Sequence, residues 1–278
     1  MKIESYINCE NLDKDISKIS SQYRKAEPFP HIILDNFLKE NCISNTLKGF
    51  KKVKWSYYNH FNEKKSANKT NKLDPLLKRT IEACNSEEFI ARLEKITGIP
   101  DLIPDHKLGS GGVHRSSRGG YLNIHADFTV HPYNNKWHRR VNLLIYLNQT
   151  WEESWGGQLE LWDKKMSHCV KKITPIFNRC VIFNTDYDSF HGHPEPMKCP
   201  PNVNRMSIAL YYYTNKESNV RTVATNYKGR PVDKTIKKIF IFFDKILVGF
   251  FHFLKSKFKI SDRVVTRIFD FLNFNKKN

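Results

Sequence analysis

"RVNLLIYLN", residues 140–148, alternates with a period of two: Val141, Leu143, Ile145 and Leu147 fall on one side, Asn142, Leu144, Tyr146 and Asn148 on the other. That is the period of a β-strand, because successive side chains of an extended backbone leave opposite faces. "RMSIALYYYT", residues 205–214, sets Met206, Ile208 and Leu210 against Arg205, Ser207, Ala209 and Tyr211 in the same way. Each stretch offers one apolar face, suited to lie under the helices of the first hundred residues, and one mixed face. A mixed face inside a β-structure is costly unless something polar binds against it. The pattern therefore predicts a ligand.

Working outward, further β-like runs lie at 112–117, 121–127, 158–163, 168–174, 180–185 and 189–193, separated by Gly, Asn, Asp and Pro. Short strands at such spacing predict a sandwich, barrel or jelly roll. Upstream, "PFPHIILDNFL" (28–38) reads as a short strand followed by Asp35 or Asn36 capping a helix towards Phe50. "DPLLKRTIEACN" and "SEEFIARLEKITG" predict two helices, the second opened by Ser86 and closed by Gly98. Residues 1–27 are polar and read as a loose lead-in. "WGGQ" (155–158) reads as a turn whose glycines supply a positive φ.

With 40% hydrophobic and 13% aromatic residues, the 278-residue chain is globular in composition, not disordered. Its six cysteines are scattered without a C-x-x-C pair, the pattern of reduced thiols in a cytoplasmic protein. "MKIESYINCENLDKDISK" has no apolar h-region, so no secretory signal is expected. The net charge is +18, and residues 216–278, with 15 Lys/Arg against 5 Asp/Glu, hold more than half of the excess. That segment reads as a separate module with its own partner.

The strand "YLNIHAD" points Tyr121, Asn123, His125 and Asp127 one way. Chance alone supplies a His-x-Asp, so the pair gains weight only from residues further along the chain. "SFHGHPEP" adds His191 and His193, and Arg205 with Ser207 opens the last long strand. Two imidazoles and a carboxylate on one side of an octahedral ion leave three positions open, the facial arrangement of non-haem Fe(II) oxygenases. An arginine fork suits the distal carboxylate of a 2-oxo acid bound at such a metal, and a neighbouring hydroxyl from Ser207 or Tyr146 can add a bond. A zinc hydrolase also uses two His and a carboxylate, but has no role for Arg205 and Ser207.

On the stretches "YLNIHADF", "RRVNLLIYLNQTWEESWGGQLELWD", "SFHGHPEP" and "RMSIALYYYT", residues 28–215 resemble the iron(II)- and 2-oxoglutarate-dependent dioxygenases, nearest to the prolyl 4-hydroxylase-like branch. The resemblance implies a mainly β, double-stranded β-helix (jelly-roll) core. It makes His125, Asp127 and His191 the ligands of Fe(2+). It gives Arg205 and Tyr146 the distal carboxylate of 2-oxoglutarate, with Ser207 placed beside them by the strand's alternation, and ascorbate as a helper. His191 with Gly192 fits the family pattern, and His193 stands where an aliphatic residue is usual, so His193 is the alternative metal ligand. Alternation aims both imidazoles the same way and does not choose between them. The other histidines read as surface or loop residues.

The implied activity is hydroxylation of a C–H bond using dioxygen, with 2-oxoglutarate converted to succinate and CO2. The substrate would be a prolyl residue in a peptide or protein, or a small molecule. Two other readings compete: a non-catalytic jelly-roll binding protein, expected to have lost a ligand or the arginine, and a nucleic-acid-directed oxygenase. The second is disfavoured, since the charge excess lies in an apolar-rich tail and no nucleic-acid motif is present. The expected organisation is a lead-in at 1–27, a helical support at 28–110, the jelly-roll core at 111–215 and a basic amphipathic helical extension at 216–278.

In that extension, Ile239–Leu254 is too short and too charged to cross a bilayer. Lys234, Lys238, Lys245, His252, Lys255 and Lys259 instead form one cationic stripe on an apolar helix. Such a helix lies on an anionic membrane surface, docks on a protein partner or packs on its own core. The density of lysines favours a peripheral membrane surface or a partner for residues 234–272.

Overall fold

The computed structural model describes residues 2–59, 61–68, 72–109, 111–217, 220, 222–244 and 246. Helices α1 (Cys9–Lys14) and α2 (Ile16–Lys25) precede β1 (His31–Leu34) and α3 (Glu40–Phe50). A hairpin, β2 (Trp55–Asn59) and β3 (Glu63–Asn68), leads to α4 (Pro75–Cys84) and α5 (Glu87–Thr97). Then come β4 (Ile103–Pro104), β5 (Gly112–Ser116), β6 (Tyr121–Ala126), β7 (Trp137–Tyr146), β8 (Leu159–Trp162) and β9 (Cys169–Ile173). β10 (Cys180–Asn184), β11 (His191–His193), β12 (Arg205–Asn215) and β13 (Asn226–Tyr227) complete the sheet, and residues 235–244 form a further helix.

The strands form one antiparallel sheet in the order β1-β10-β7-β12-β5-β3-β6-β11-β8-β9, curled into a jelly roll. β3 stitches its halves together by pairing with both β5 and β6. The apolar faces read from the sequence do pack on helices: Val141, Leu143, Ile145, Ile208 and Leu210 share one cluster with Leu77 of α4 and Phe89 and Leu93 of α5. On the inner side, Tyr146, Val181 and Phe183 meet Leu159 and Leu161 across the fold. The outer side of β6 carries Ile124 and Ala126, packed with Trp162, Met166 and Phe190.

Two helix starts follow their caps. Asp74 accepts from Leu76 N at 3.0 Å with Pro75 at the first position, and Ser86 Oγ accepts from Phe89 N at 3.3 Å. Gly98, at φ 73°, closes α5 in the left-handed conformation. α3 departs from expectation. It begins at Glu40, without a side-chain cap, because the Asp35 carboxylate is taken by the Arg179 guanidinium at 2.6 and 2.8 Å. Asn36 turns the chain at φ 53°, and Phe37 and Leu38 enter the core.

Residues 1–27 are not a loose lead-in. Ile3, Ile7, Leu12, Ile19 and Tyr23 are buried, and the last three lie on α1 and α2 against the helical layer. Sparse apolar residues at helical spacing suffice to dock a polar-looking segment. The β2–β3 hairpin, absent from the sequence reading, is polar on most positions and is held by its partners in the sheet. His31 and His131 are buried rather than on the surface. His31 Nδ1 donates to Phe29 O at 2.9 Å, and His131 faces the Asp105 carboxylate at 3.4 Å, so each polar ring has a partner.

The extension begins by closing over the ligand strand. Asn226 and Tyr227 pair with Ala126 and His125. The following helix buries Ile241, sets Phe240 against Phe61 with ring centroids 5.2 Å apart, and bonds Asp244 to Asn62. Docking on the core is thus part of its role. Lys245, His252, Lys255 and Lys259 of the lysine stripe, with the rest of residues 247–278, lie outside the described residues.

Candidate metal and co-substrate site

The antiparallel pairing of β6 and β11 sets His191 directly opposite His125, with ring centroids 4.6 Å apart. Asp127 comes just after the end of β6. Its Oδ1 lies 3.5 Å from His125 Nε2 and its Oδ2 3.4 Å from His191 Nε2. One donor atom from each of the three residues falls within a 4.8 Å cluster, the only such group found among the described residues. His193 is buried nearby but does not belong to it.

Both imidazoles are oriented by the backbone. His125 Nδ1 lies 2.9 Å from Asn123 O, and His191 Nδ1 2.9 Å from Ser189 O. A carbonyl only accepts, so the proton sits on Nδ1 and Nε2 is left with a lone pair turned to the cluster. Burial pushes His191 down to about 4, against the opposing pull of Asp127, and the ring is neutral at physiological pH. Burial alone would raise Asp127, but Arg139, then His191 and His125, hold its carboxyl well below the ordinary range. The donor set is therefore two imidazoles and one carboxylate, which fits a divalent metal with positions left open.

Asp127 has its own support, which the sequence reading missed. Arg139 Nη2 forms an ion pair with Asp127 Oδ2 at 2.8 Å, and Asn142 Nδ2 donates to the same oxygen at 2.8 Å, leaving Oδ1 free of them. Arg139 is 1% exposed and lies between Tyr211, 3.6 Å from the ring centroid, and Phe128 at 4.5 Å. Strict alternation puts Arg139 on the helix-facing side with Val141. The β7–β12 register slips there, since Val141 faces Tyr212 and Arg139 faces Tyr213, leaving Arg140 as the extra residue. The bulge turns Arg139 inward.

A second group sits deeper on the same inner face. Ser207 pairs with Tyr146 on one side and His114 on the other. Arg205, 7% exposed, donates from Nε to Gly157 O at 2.8 Å and from Nη2 to the Tyr146 hydroxyl at 3.1 Å. Gly157 presents that carbonyl from φ 72°, and a Cβ there would lie 2.7 Å from Met197 Sδ, so the "WGGQ" turn needs its glycine. Burial lowers Arg205 from its usual range and raises Tyr146. No ion pair holds Arg205 among the described residues. A buried guanidinium without a carboxylate partner is chemically suited to hold an anion.

His114 and His193 add to the same chamber. Burial, with Lys65 and Arg205 repelling, pushes His114 down to about 3, and burial with Arg205 and Lys65 pushes His193 well below the usual range. Among the described residues, His193 Nδ1 is buried with no hydrogen-bond partner.

The model of the 2OG-Fe(II) oxygenase superfamily matches residues 111–213. A mouse prolyl 3-hydroxylase is 25% identical over 197 residues, which are 67% of this chain and 33% of that protein. The chain thus spans about a third of the length of that relative. Among solved structures, a Trichoplax adhaerens prolyl hydroxylase, in complex with a hypoxia inducible factor oxygen degradation domain peptide fragment, superposes with a TM-score of 0.53 at 20% identity, covering 74% of this chain and 92% of that one. A Pseudomonas putida prolyl-4-hydroxylase gives 0.50 at 12% identity, covering 71% and 99%. Residues 111–213 thus match the 2OG-Fe(II) oxygenase superfamily, and the jelly-roll fold of the chain is the one seen in the two prolyl hydroxylase structures.

Proposed function

We propose that the protein is an Fe(II)- and 2-oxoglutarate-dependent hydroxylase whose residues 111–215 form the catalytic core. His125, Asp127 and His191 hold the iron, and Arg205, Tyr146 and Ser207 receive the distal carboxylate of 2-oxoglutarate. The observation that carries this reading is Arg205, a buried cation without an ion-pair partner on the same inner face as a His–Asp–His cluster. When bound, iron and 2-oxoglutarate supply the oxidising power of the reaction, drawn from dioxygen, with ascorbate as a helper.

The chain's own side chains then have separate tasks. Asn123 O and Ser189 O fix the imidazole tautomers. Arg139 and Asn142 hold one oxygen of Asp127 and leave the other towards the metal. Arg205 and Tyr146 orient the co-substrate by charge and hydrogen bond. A non-catalytic protein that kept only the shape would be expected to lack one of these groups, and all of them are present.

The substrate we propose is a prolyl residue of a peptide or protein. Kinship to a mouse prolyl 3-hydroxylase supports it. The six free cysteines support a cytoplasmic location, and residues 234–272 are the part suited to a membrane surface or a partner. No helix among the described residues is long and apolar enough to cross a membrane.

The test begins with the metal. Purified protein should bind one Fe(II) per chain and release succinate in its presence, and Asp127→Ala should lose nearly all of the iron. Full activity with stoichiometric zinc and no iron refutes the reading. Screening peptide pools for a gain of one oxygen atom then identifies the substrate.

A further inference from the structure

A second basic feature lies on the far side of β6 from the metal cluster. Lys164 and Lys165, in the turn after β8, face Lys228 and Lys238 of the C-terminal segment across a cavity of about 400 Å³, with Met166 and Phe190 in its lining. The opening is held in place by ordered structure. Lys228 N donates to Ile124 O at 2.9 Å, Met166 and Phe190 pack on Ile124 and Ala126, and Arg230 is fixed between Glu195 at 2.6 Å and Asp233 at 2.8 Å. Lys238 lies across Gly229, where a Cβ would come within 2.6 Å of its Cγ.

The four ammonium groups are poorly neutralised. Lys164 lies 3.3 Å from Asp188, and Lys238 donates to Pro231 O at 3.1 Å. Among the described residues no ion pair engages Lys165 or Lys228. Cations gathered around one cavity repel each other until a multiply charged anion enters, and a phosphomonoester carries about −1.5 to −2 charges at neutral pH. The volume suits a small organic phosphate.

What lies beside the cavity identifies the carrier of that phosphate. On the helix of residues 235–244, Phe242 is one turn beyond Lys238 and shares its side. From Phe242 an apolar arc continues through Ile239, Phe243 and Ile236, with Ile246 beyond, all between 43% and 59% exposed. Exposed aromatic and aliphatic side chains next to a lysine cluster suit a bilayer surface, where headgroups meet the cations and the acyl boundary takes the apolar face. A nucleic acid offers phosphate but no acyl phase.

We propose that this cavity receives the phosphorylated headgroup of a membrane lipid while the arc from Ile236 to Phe243 enters the same leaflet. The proposal rests on reading residues 234–272 as a membrane-surface segment, and adds a headgroup site on the jelly roll itself. His125, Asp127 and His191 are not in the lining of this cavity, so docking here holds the enzyme at a membrane without occupying the metal site.

The full chain is floated with vesicles of phosphatidylcholine alone, with phosphatidylserine, or with a phosphatidylinositol phosphate at matched total charge. The phosphoinositide vesicles should bind about tenfold more tightly than the phosphatidylserine ones. Lys165→Ala/Lys228→Ala should weaken phosphoinositide binding by about 30-fold and phosphatidylserine binding far less. Phe242→Ser/Phe243→Ser should release the protein from every vesicle while soluble inositol phosphate still binds. Equal losses on both anionic vesicles refute the headgroup site and leave the membrane segment standing. Absence of vesicle binding refutes both. Tight binding of inositol phosphate, or of RNA, through the lysine pair without any vesicle binding overturns the lipid assignment.

Discussion

Replacing Arg205 by alanine tests the co-substrate site at its least redundant point. The guanidinium is 7% exposed, and the two bonds it makes, to Gly157 O at 2.8 Å and the Tyr146 hydroxyl at 3.1 Å, position it without neutralising it. A carboxylate bound there would be left buried and unpaired by the substitution. Breaking a buried ion pair costs about 3–5 kcal/mol, which is between two and four orders of magnitude in Kd. Arg205→Lys should fall between the two, keeping the charge and losing the planar fork. Tyr146→Phe should cost about 1–3 kcal/mol, the value of one buried hydrogen bond to a charge. The assay is calorimetric titration of 2-oxoglutarate into Mn(II)-loaded protein, in which turnover does not intervene. Arg205 makes no bond to His125, Asp127 or His191, so the Mn(II) content of Arg205→Ala should match that of the unsubstituted protein, which separates a lost anion site from a damaged fold. A Kd within threefold of the original, with metal retained, refutes the assignment.

The same geometry leads to three other outcomes. His191→Ala should abolish metal binding and turnover while His193→Ala leaves a measurable fraction, and the opposite ranking moves the ligand to His193. Arg139→Met should destabilise the metal-free protein by about 3–5 kcal/mol, because the Asp127 carboxylate loses its buried cation. Mn(II) should restore part of that loss by supplying another cation, so equal melting temperatures with and without Mn(II) would contradict the proposed role. Finally, burial, with Lys65 and Arg205, holds His114 at about 3 in the folded chain, whereas an unfolded histidine protonates near 6.5. The unfolded state then binds the extra proton below that pH, so stability is full above about 6.5 and falls on acidification. His114 should contribute a loss on the order of 3 kcal/mol by about pH 4, and His31, lowered by burial, should add to it. A melting temperature that stays level from neutral pH down to that point would show these rings are not buried neutral.

The local part of this protein was legible in the sequence because local structure follows local pattern. Period-two alternation in "RVNLLIYLN" and "RMSIALYYYT" located β7 and β12 and named the face that packs on the helices. Asp74, Ser86 and Gly98 marked helix ends, since capping depends on residues a turn apart. The ordered set His125, Asp127, His191 and Arg205 was visible because a jelly roll returns those strands to one interior in a fixed order.

Tertiary structure decided the rest. Whether residues 1–27 docked depended on a partner surface that becomes available only when the helices of residues 75–97 are in place. Asp35 is a fair cap by local rules but was taken by Arg179, far away in sequence. Arg139 was the largest omission. Counting by twos aims it at the helices, and only the slip of β7 against β12 turns it onto Asp127. A bulge of one residue inverts every inference drawn from parity beyond it, and nothing in the strand's own sequence announces the bulge. The carboxylate at the centre of the site is therefore named by sequence, while the charge that holds it is set by register.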